Sequence, residues 1–230
     1  MDLGHLYIVA TPIGNMQDIT LRALETLRQS NLIVCEDTRV TGGLLHRHDI
    51  KKPMRALNEF NEETVLYEII SQLENGAIVS LVSDSGTPLI SDPGFLLVRQ
   101  ARKKSIPVTP IPGASAVTVA LSASGLPSDS FLFLGFLSKN LSKKKRLLTH
   151  IHASYNKDYS PTLILYESPH RITSTLAVLC EVFGDQKITI ARELTKIHEE
   201  FKTGLLSELI AEYTQKSPKG ELTLLISQKS

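Results

Sequence analysis

The sequence lacks several features that assign a protein to a class at once. Its 230 residues contain no tryptophan and two cysteines. Cys35 and Cys180 each lie in an apolar pattern, so we interpret both as buried thiols. No apolar run is long enough to cross a membrane, and the N-terminus lacks the charged-then-apolar plan of a signal peptide. These absences predict a cytoplasmic protein, and they favour an enzyme.

A strong excess of one charge is also missing. The formal net charge is +1, so a polyanionic partner would have to meet a local basic patch. The glycine-rich dinucleotide turn, the phosphate loop of nucleoside triphosphatases and the G-x-S-x-G turn of hydrolases are absent as well. His46 with His48, and His150 with His152, belong to no recognisable ligand set. We therefore expect surface histidines and no metal.

Short apolar runs alternate with segments of helical spacing along the whole chain. Runs typical of buried strands occupy residues 6–10, 32–35, 77–82, 131–136, 162–166, 187–191 and 222–226. Helical spacing separates many of them, as in the leucines of residues 21–27. The pattern breaks near residues 124–130 and then restarts. We predict two α/β domains, residues 1–124 and residues 125–230, with a cofactor cleft between them.

The most informative stretch is the loop at residues 83–94, SDSGTPLISDPG, which follows the predicted strand at residues 77–82. Loops at the carboxyl ends of buried parallel strands often carry function. Its two glycines, two prolines and two aspartates would hold backbone N–H and C=O groups at fixed positions. The loop alone is also typical of a tight strand-to-helix turn. The rest of the chain favours a ligand site.

Acidic and basic side chains gather at three other predicted strand ends. These groups are Glu36, Asp37 and Arg39, then Glu167, His170 and Arg171, and finally Arg192, Glu193 and Lys196. Each group alone is typical of a surface salt bridge worth less than ~1 kcal/mol. Three such groups beside loops rich in glycine and proline fit a cleft for a polar substrate that has a proton to lose.

Six motifs then carry a resemblance to a known family. They are TPIGN at residues 11–15, EDTR at 36–39, the loop at 83–94, YESPHR at 166–171, ARELTK at 191–196 and KGE at 219–221. In this order, over nearly the whole chain, they resemble the tetrapyrrole-methylase superfamily (class III methyltransferases). Within it they are similar to the bacterial enzymes that methylate the ribose 2′-oxygen of a decoding-centre cytidine in 16S ribosomal RNA. One motif alone would be weak, but six together are specific.

The resemblance implies a homodimer that binds S-adenosylmethionine in a folded conformation between the two domains. Carried over residue by residue, it implies cofactor contacts from Thr11, Pro12, Ile13, Gly14, Ser83, Asp84, Gly86, Thr87, Pro88, Ile90, Ser115, Ala116, Tyr166, Arg192, Glu193, Leu194, Lys219 and Gly220. Ile13, Ile90 and Leu194 are equally typical of core positions.

The resemblance also implies direct attack of the ribose 2′-hydroxyl on the sulfonium methyl group. Orientation can supply ~7–11 kcal/mol, whereas a general base adds ~10²–10⁴-fold in rate, so we expect positioning to dominate. Asp37 and Glu167 are the preferred bases, with His170 third. Arg39, Arg171 and Arg192 are expected to hold phosphates or to orient these acids. Each arginine is equally typical of a structural partner of its adjacent acid.

The densest basic run is formed by Lys143, Lys144, Lys145 and Arg146. Such a run is usually a solvated face, but an RNA substrate favours contact with phosphates. The expected partner is therefore 16S ribosomal RNA or the small ribosomal subunit, and no membrane. Two alternatives stay open: methylation of a small molecule or another acceptor, as in tetrapyrrole- or diphthine-forming relatives, and a non-catalytic ribosome-binding or nucleotide-sensing module.

Overall fold

The computed structural model describes residues 3–58, 61–156 and 158–228. The chain forms two compact units, Met1–Ser115 and Ala116–Ser230. Each unit contains a five-stranded sheet with helices packed on it. The predicted organisation into two α/β domains is therefore confirmed.

The sheet of the first unit is parallel throughout. Its strands are β1 (His5–Val9), β2 (Leu32–Cys35), β3 (Met54–Ala56), β4 (Ile78–Val82) and β5 (Val108–Ile111). They lie in the order β3-β2-β4-β1-β5, and each neighbouring pair is parallel. Because parallel strands point the same way, the loops that follow β1, β2, β4 and β5 emerge at one edge of the sheet.

Four helices cover the two faces of this sheet. They are α1 (Leu21–Gln29), α2 (Thr38–Arg47), α3 (Glu62–Glu74) and α4 (Phe95–Lys103). Successive strand side chains point to opposite faces. Leu32 and Val34 therefore join the core under α3 and α4, whereas Ile33 and Cys35 join the core under α1 and α2. Cys35 is a buried free thiol, as predicted.

The second unit has a mixed sheet. Its strands are β6 (Phe131–Phe136), β7 (Thr162–Glu167), β8 (Lys187–Arg192), β9 (Glu200–Leu205) and β10 (Leu222–Ile226), in the order β6-β7-β10-β8-β9. Only the β6–β7 pair is parallel among the pairs of this described sheet. Its helices are α5 (Ala116–Ala123), α6 (Leu141–Ala153), α7 (Ile172–Phe183) and α8 (Leu206–Gln215). The main core lies between one face of the sheet and α6, α7 and α8.

The structure divides the chain one helix earlier than the predicted boundary at residue 124. Helix α5 packs against β10 and belongs to the second unit. Its small apolar residues gave no sign of which sheet they would cover. In the part of the chain that the structure describes, no helix combines the length and apolarity needed to cross a bilayer.

Candidate active site

The loop after β1 and the loop after β4 are joined by a short antiparallel bridge between Thr11 and Gly86. The Thr11 N–H donates to the Gly86 carbonyl (2.9 Å), and the Gly86 N–H donates to the Thr11 carbonyl (3.2 Å). The Thr11 hydroxyl donates to the Ser83 carbonyl, and the Ser83 hydroxyl donates to the Gly86 carbonyl, each over 3.1 Å. Three residues predicted to bind the cofactor therefore meet at the carboxyl edge of the sheet.

The loop after β5 joins the same junction. The Thr87 hydroxyl donates to the Ala114 carbonyl over 3.1 Å. A Cβ atom on Gly113 would lie 2.9 Å from the Cβ atom of Ala10, so the loop after β5 also packs closely against the loop after β1. The loops that carry the predicted residues Pro12, Ile13, Gly14, Thr87, Pro88, Ile90 and Ser115 thus meet in one place. Ile13 is buried, as its core alternative requires, whereas Ile90 is 41% exposed and available to a ligand.

The loop at residues 83–94 is built on left-handed backbone. Gly86 (φ 86°), Leu89 (φ 71°), Ser91 (φ 71°) and Gly94 (φ 116°) all adopt it. A residue other than glycine costs ~1–3 kcal/mol there and persists only where its surroundings enforce it. At Gly86, a Cβ atom would come within 3.2 Å of the Ile13 Cγ2 atom. A larger residue at position 86 would therefore have to displace the Ile13 side chain, in addition to adopting an unfavourable backbone conformation.

Carboxylates crowd this edge of the first unit. The Asp37 N–H donates to the Asp84 Oδ1 atom over 3.1 Å. Burial raises the pKa of Asp84. Burial, together with the negative charge of Glu36, raises the pKa of Asp92 to about 6, although the polar side chain of Ser83 has a smaller, opposing effect. We did not predict Asp92 as a site residue, because an Asp-Pro-Gly sequence by itself is typical of a turn.

Asp37 has different hydrogen-bond partners from Asp92 and a much lower pKa. It caps helix α2 by accepting a hydrogen bond from the Arg39 N–H over 2.8 Å, and the Arg39 guanidinium pairs with its carboxylate. These bonds with Arg39 lower the pKa of Asp37 to about 2. A carboxylate with so little proton affinity is a weak base at neutral pH. The arrangement therefore favours the alternative in which Arg39 is the structural partner of Asp37.

Glu167, at the end of β7, is fully buried and heavily bonded. Its Oε1 atom is 2.6 Å from an Arg171 guanidinium nitrogen and accepts a hydrogen bond from the Ser168 N–H over 2.8 Å. Its Oε2 atom accepts a hydrogen bond from the Thr175 hydroxyl. Both oxygens are engaged inside the protein, and this argues against Glu167 as the general base. Arg171 forms an ion pair with this acid, which fits both the orienting role and the structural role expected of it. His170 is exposed on the loop that follows.

The prediction that Lys144 binds RNA is wrong. Lys144 is 2% exposed, its ammonium donates to the Thr175 hydroxyl over 2.6 Å, and it lies 3.9 Å from Glu167. Burial lowers the pKa of Lys144. The run lies on helix α6, which turns this one lysine toward α7 and leaves Lys143, Lys145 and Arg146 exposed. Of these, Lys145 pairs with Glu181.

The remaining predicted residues of the second unit lie on two loops that meet. Arg192 pairs with Glu200 (2.8 Å) and donates to the Lys219 carbonyl (3.3 Å). The Glu221 N–H donates to Glu193 over 3.0 Å, and this bond and Lys196 lower the pKa of Glu193. A Cβ atom on Gly220 would lie 2.3 Å from the Glu193 Cδ atom, so a close approach requires glycine there. Leu194 is buried, as its core alternative requires.

Comparisons with known proteins agree with this architecture. The family model described as tetrapyrrole (corrin/porphyrin) methylases matches residues 5–210. The chain is 44% identical over 227 residues to the ribosomal RNA small subunit methyltransferase I of Thermotoga maritima, covering 99% of this chain and 100% of that protein. It is 47% identical over 230 residues to the protein of the same name from Haemophilus influenzae, covering 98% of this chain and 79% of that protein.

Solved structures share the fold at lower identity. Uroporphyrin-III-C-methyltransferase from Thermus thermophilus superposes with a TM-score of 0.67 at 20% identity, covering 96% of this chain and 94% of that one. The methyltransferase CobJ gives a TM-score of 0.71 at 17% identity, covering 98% and 95%. Two five-stranded sheets, a junction of glycine-rich loops and these relatives lead to one assignment. The chain belongs to the tetrapyrrole methylase family, in the group formed by the ribosomal RNA small subunit methyltransferases I.

Proposed function

We propose that this protein transfers a methyl group from S-adenosylmethionine to the ribose 2′-oxygen of a decoding-centre cytidine in 16S ribosomal RNA. The observation that carries the proposal is the junction of three loops at the carboxyl edge of the first sheet, held by Thr11, Gly86 and Thr87. The names of the relatives support ribosomal RNA of the small subunit as the acceptor. We further propose that the protein is a cytoplasmic homodimer.

The residues of the first unit fit S-adenosylmethionine. This cofactor carries a positive charge at sulfur and presents an adenosine and an amino-acid group. The loops at residues 11–14 and 83–90 offer fixed backbone donors and acceptors and the exposed side chain of Ile90. Asp84 and Asp92 have raised pKa values in a crowd of acids, so a cation beside them would be stabilised. The cofactor supplies, when bound, a methyl group already activated for transfer.

The protein then has to orient the acceptor and take up one proton. A base is most effective when its pKa lies near the working pH. Asp92, with a pKa of about 6, meets this condition better than Asp37, with a pKa of about 2. His170, the third choice from the sequence, is exposed on the loop after β7 and becomes the second candidate. We retain Ser115, Ala116, Tyr166, Arg192, Glu193, Leu194, Lys219 and Gly220 as proposed cofactor contacts, and Lys143, Lys145 and Arg146 as proposed phosphate contacts.

Labelled methyl transfer to two acceptors tests this proposal against the open alternatives. The acceptors are small ribosomal subunits that lack the modification and a tetrapyrrole mixture, and a third reaction without acceptor is the control. We expect label in the ribosomal RNA alone, and calorimetry should register heat when S-adenosylmethionine is added. Label in the tetrapyrroles would favour a small-molecule enzyme. Binding to subunits without transfer would favour a non-catalytic module.

A further inference from the structure

An aromatic side chain stands exposed at the end of an edge strand in the second unit. Phe136 is the last residue of β6 and is 56% exposed. Its ring centre lies 5.6 Å from that of Tyr166, which in turn packs edge-on against Phe133 at 4.9 Å. The pairing of β6 with β7 shifts register between Phe133 and Phe136. Such irregularities change the direction in which a side chain points, and here the residue that follows the irregularity is the exposed Phe136.

This ring is held in place from within the protein. The Arg171 guanidinium carbon lies 5.8 Å from the centre of the Phe136 ring. Arg171 is itself fixed by Glu167 (2.6 Å) and by the Leu137 carbonyl, to which it donates over 3.1 Å. The buried network of Glu167, Thr175 and Lys144 therefore anchors the arginine that supports Phe136. A rigid aromatic ring loses little conformational entropy when a flat partner stacks on it.

The charged residues that follow Phe136 in the sequence indicate what kind of partner it fits. Lys139, Lys143 and Arg146 follow it on the chain and are exposed. Within residues 3–58, 61–156 and 158–228, none of these three cations is ion-paired with a carboxylate. An exposed ring followed closely in sequence by exposed cations that lack a carboxylate partner is the combination that binds single-stranded nucleic acid, because bases stack on the ring and phosphates meet the cations. A symmetric contact with a second copy would instead bring like charges together.

We propose that Phe136 is a stacking platform for an unpaired base of the RNA substrate, with Lys139, Lys143 and Arg146 beside it as phosphate contacts. This inference rests on the proposed function, because it takes RNA as the acceptor. It adds a positioning residue that lies outside every motif of the sequence. It also gives the buried charges of Glu167 and Lys144 a role, which is to hold the supporting arginine.

The absence of tryptophan allows a direct test. Phe136→Trp introduces the only indole of the chain, and its fluorescence should be quenched when a single-stranded RNA oligonucleotide of roughly ten nucleotides stacks on it. Phe131→Trp is the matched control. Phe131 is 44% exposed at the other end of the same six-residue strand, ~17 Å away along it. The charged residue nearest to it in the sequence is Asp129, whereas Lys139 is the one nearest to Phe136. We expect little quenching of Phe131→Trp.

Affinity and turnover give the second measurement. Phe136→Leu keeps an apolar side chain but removes the ring, so it should weaken oligonucleotide binding roughly 5- to 150-fold, the range that corresponds to one stacked base. It should raise the KM for small subunits and leave kcat and the affinity for S-adenosylmethionine unchanged. Phe136→Trp should keep near-normal affinity, and Phe131→Leu should behave like the wild type.

Several results would overturn the stacking role. The first is equal RNA affinity and equal KM for Phe136→Leu and Phe131→Leu, together with no quenching of Phe136→Trp by RNA. The second is quenching of Phe136→Trp by S-adenosylmethionine alone. The third is a change in sedimentation that shows Phe136 to lie between two copies. If the wild type methylates small subunits and these results appear, the proposed function stands and the platform is wrong. If RNA quenches Phe136→Trp but the wild type transfers no methyl group, the platform stands and the proposed function is wrong.

Discussion

At the scale of single residues, the neighbours of Asp37 and Asp92 set opposite proton affinities at one edge of the first sheet. Arg39 donates to Asp37 and lowers its pKa to about 2. Burial and Glu36 raise the pKa of Asp92 to about 6. Environments that separate two carboxyl groups in this way usually assign them different roles. Asp37 is suited to remain charged, whereas Asp92 is suited to exchange a proton.

The raised pKa of Asp92 predicts a pH dependence of stability. An unfolded aspartate ionises near ~3.9, but folded Asp92 holds its proton until about pH 6. The favourable contribution is complete below the unfolded value and is lost as the pH rises toward 6. Because solvent screens a half-buried group, we expect a loss of about 1–2 kcal/mol in the free energy of unfolding. Urea denaturation between pH 4 and pH 7 measures it.

Asp92→Asn should remove this part of the pH dependence, while Asp18→Asn, at an exposed position, should leave it unchanged. Coincident pH profiles for Asp92→Asn and the wild type would show that Asp92 titrates normally in the folded protein.

A pair of glycines separates backbone strain from packing at the junction of loops. Gly86 and Gly184 both have positive φ values, 86° and 80°, and Gly184 combines its φ with an extended ψ of 174°. A Cβ atom at Gly184 meets open space, whereas one at Gly86 comes within 3.2 Å of Ile13. Gly86→Ala and Gly184→Ala should each cost ~1–3 kcal/mol of stability from strain, because both backbone conformations favour glycine. Only Gly86→Ala should also weaken S-adenosylmethionine binding, by about tenfold or more, since about 1.4 kcal/mol of lost contact suffices. Thermal unfolding and calorimetry measure the two effects, and equal cofactor affinities would place the cofactor elsewhere.

At the scale of elements, the buried side and the exposed side of helix α6 have different roles. Its buried side carries Lys144 to the Thr175 hydroxyl and the Glu167 carboxylate. Its exposed side carries Lys143 and Arg146. One basic run therefore contains both a structural cation and candidate phosphate contacts. Substitution of Lys144 should therefore lower the stability of the protein, whereas substitution of Lys143 should weaken RNA binding.

Lys144→Ala should destabilise the protein by about 2–4 kcal/mol, because it opens a cavity and leaves buried polar groups without their partner. Lys143→Ala should change stability by less than about 0.5 kcal/mol. The same exposed substitution should weaken RNA binding and reduce the slope of log affinity against log salt by about 0.7, which corresponds to one lost contact with single-stranded phosphate. Denaturation and salt titration measure the pair. If Lys144→Ala alone flattened the salt dependence, our assignment of the two lysines would be reversed.

The elements that we predicted correctly from sequence have a strong apolar pattern. The strands β4 and β7 and the helices α1 and α3 show it clearly. We missed α2, whose centre holds Gly42 and Gly43, and the edge strands β3 and β9, which are short or polar. The burial of Lys144 and Glu167 and the raised pKa of Asp92 could not be predicted, since they depend on residues distant in sequence. Phe136 looked like an ordinary strand residue until the structure placed it at an exposed edge.

At the scale of the whole molecule, each unit has its own sheet and its own core. The first unit supplies the junction of loops that we propose for the methyl donor. The second supplies the aromatic and basic surface that we propose for the acceptor. Solved methyltransferase structures share the fold of this chain at identities of 17–20%. Because a fold alone does not select an acceptor, we propose that local residues such as Phe136 and Lys143 do so.

The most direct test of the central claim is to map the methyl group after the purified protein acts on unmodified small ribosomal subunits with labelled S-adenosylmethionine. Digestion of the RNA and mass spectrometry identify the modified nucleotide and distinguish ribose from base. We predict one 2′-O-methylcytidine in the decoding centre, and a strongly reduced yield with Gly86→Ala. Label on a base, at scattered nucleotides or on a ribosomal protein would contradict the account.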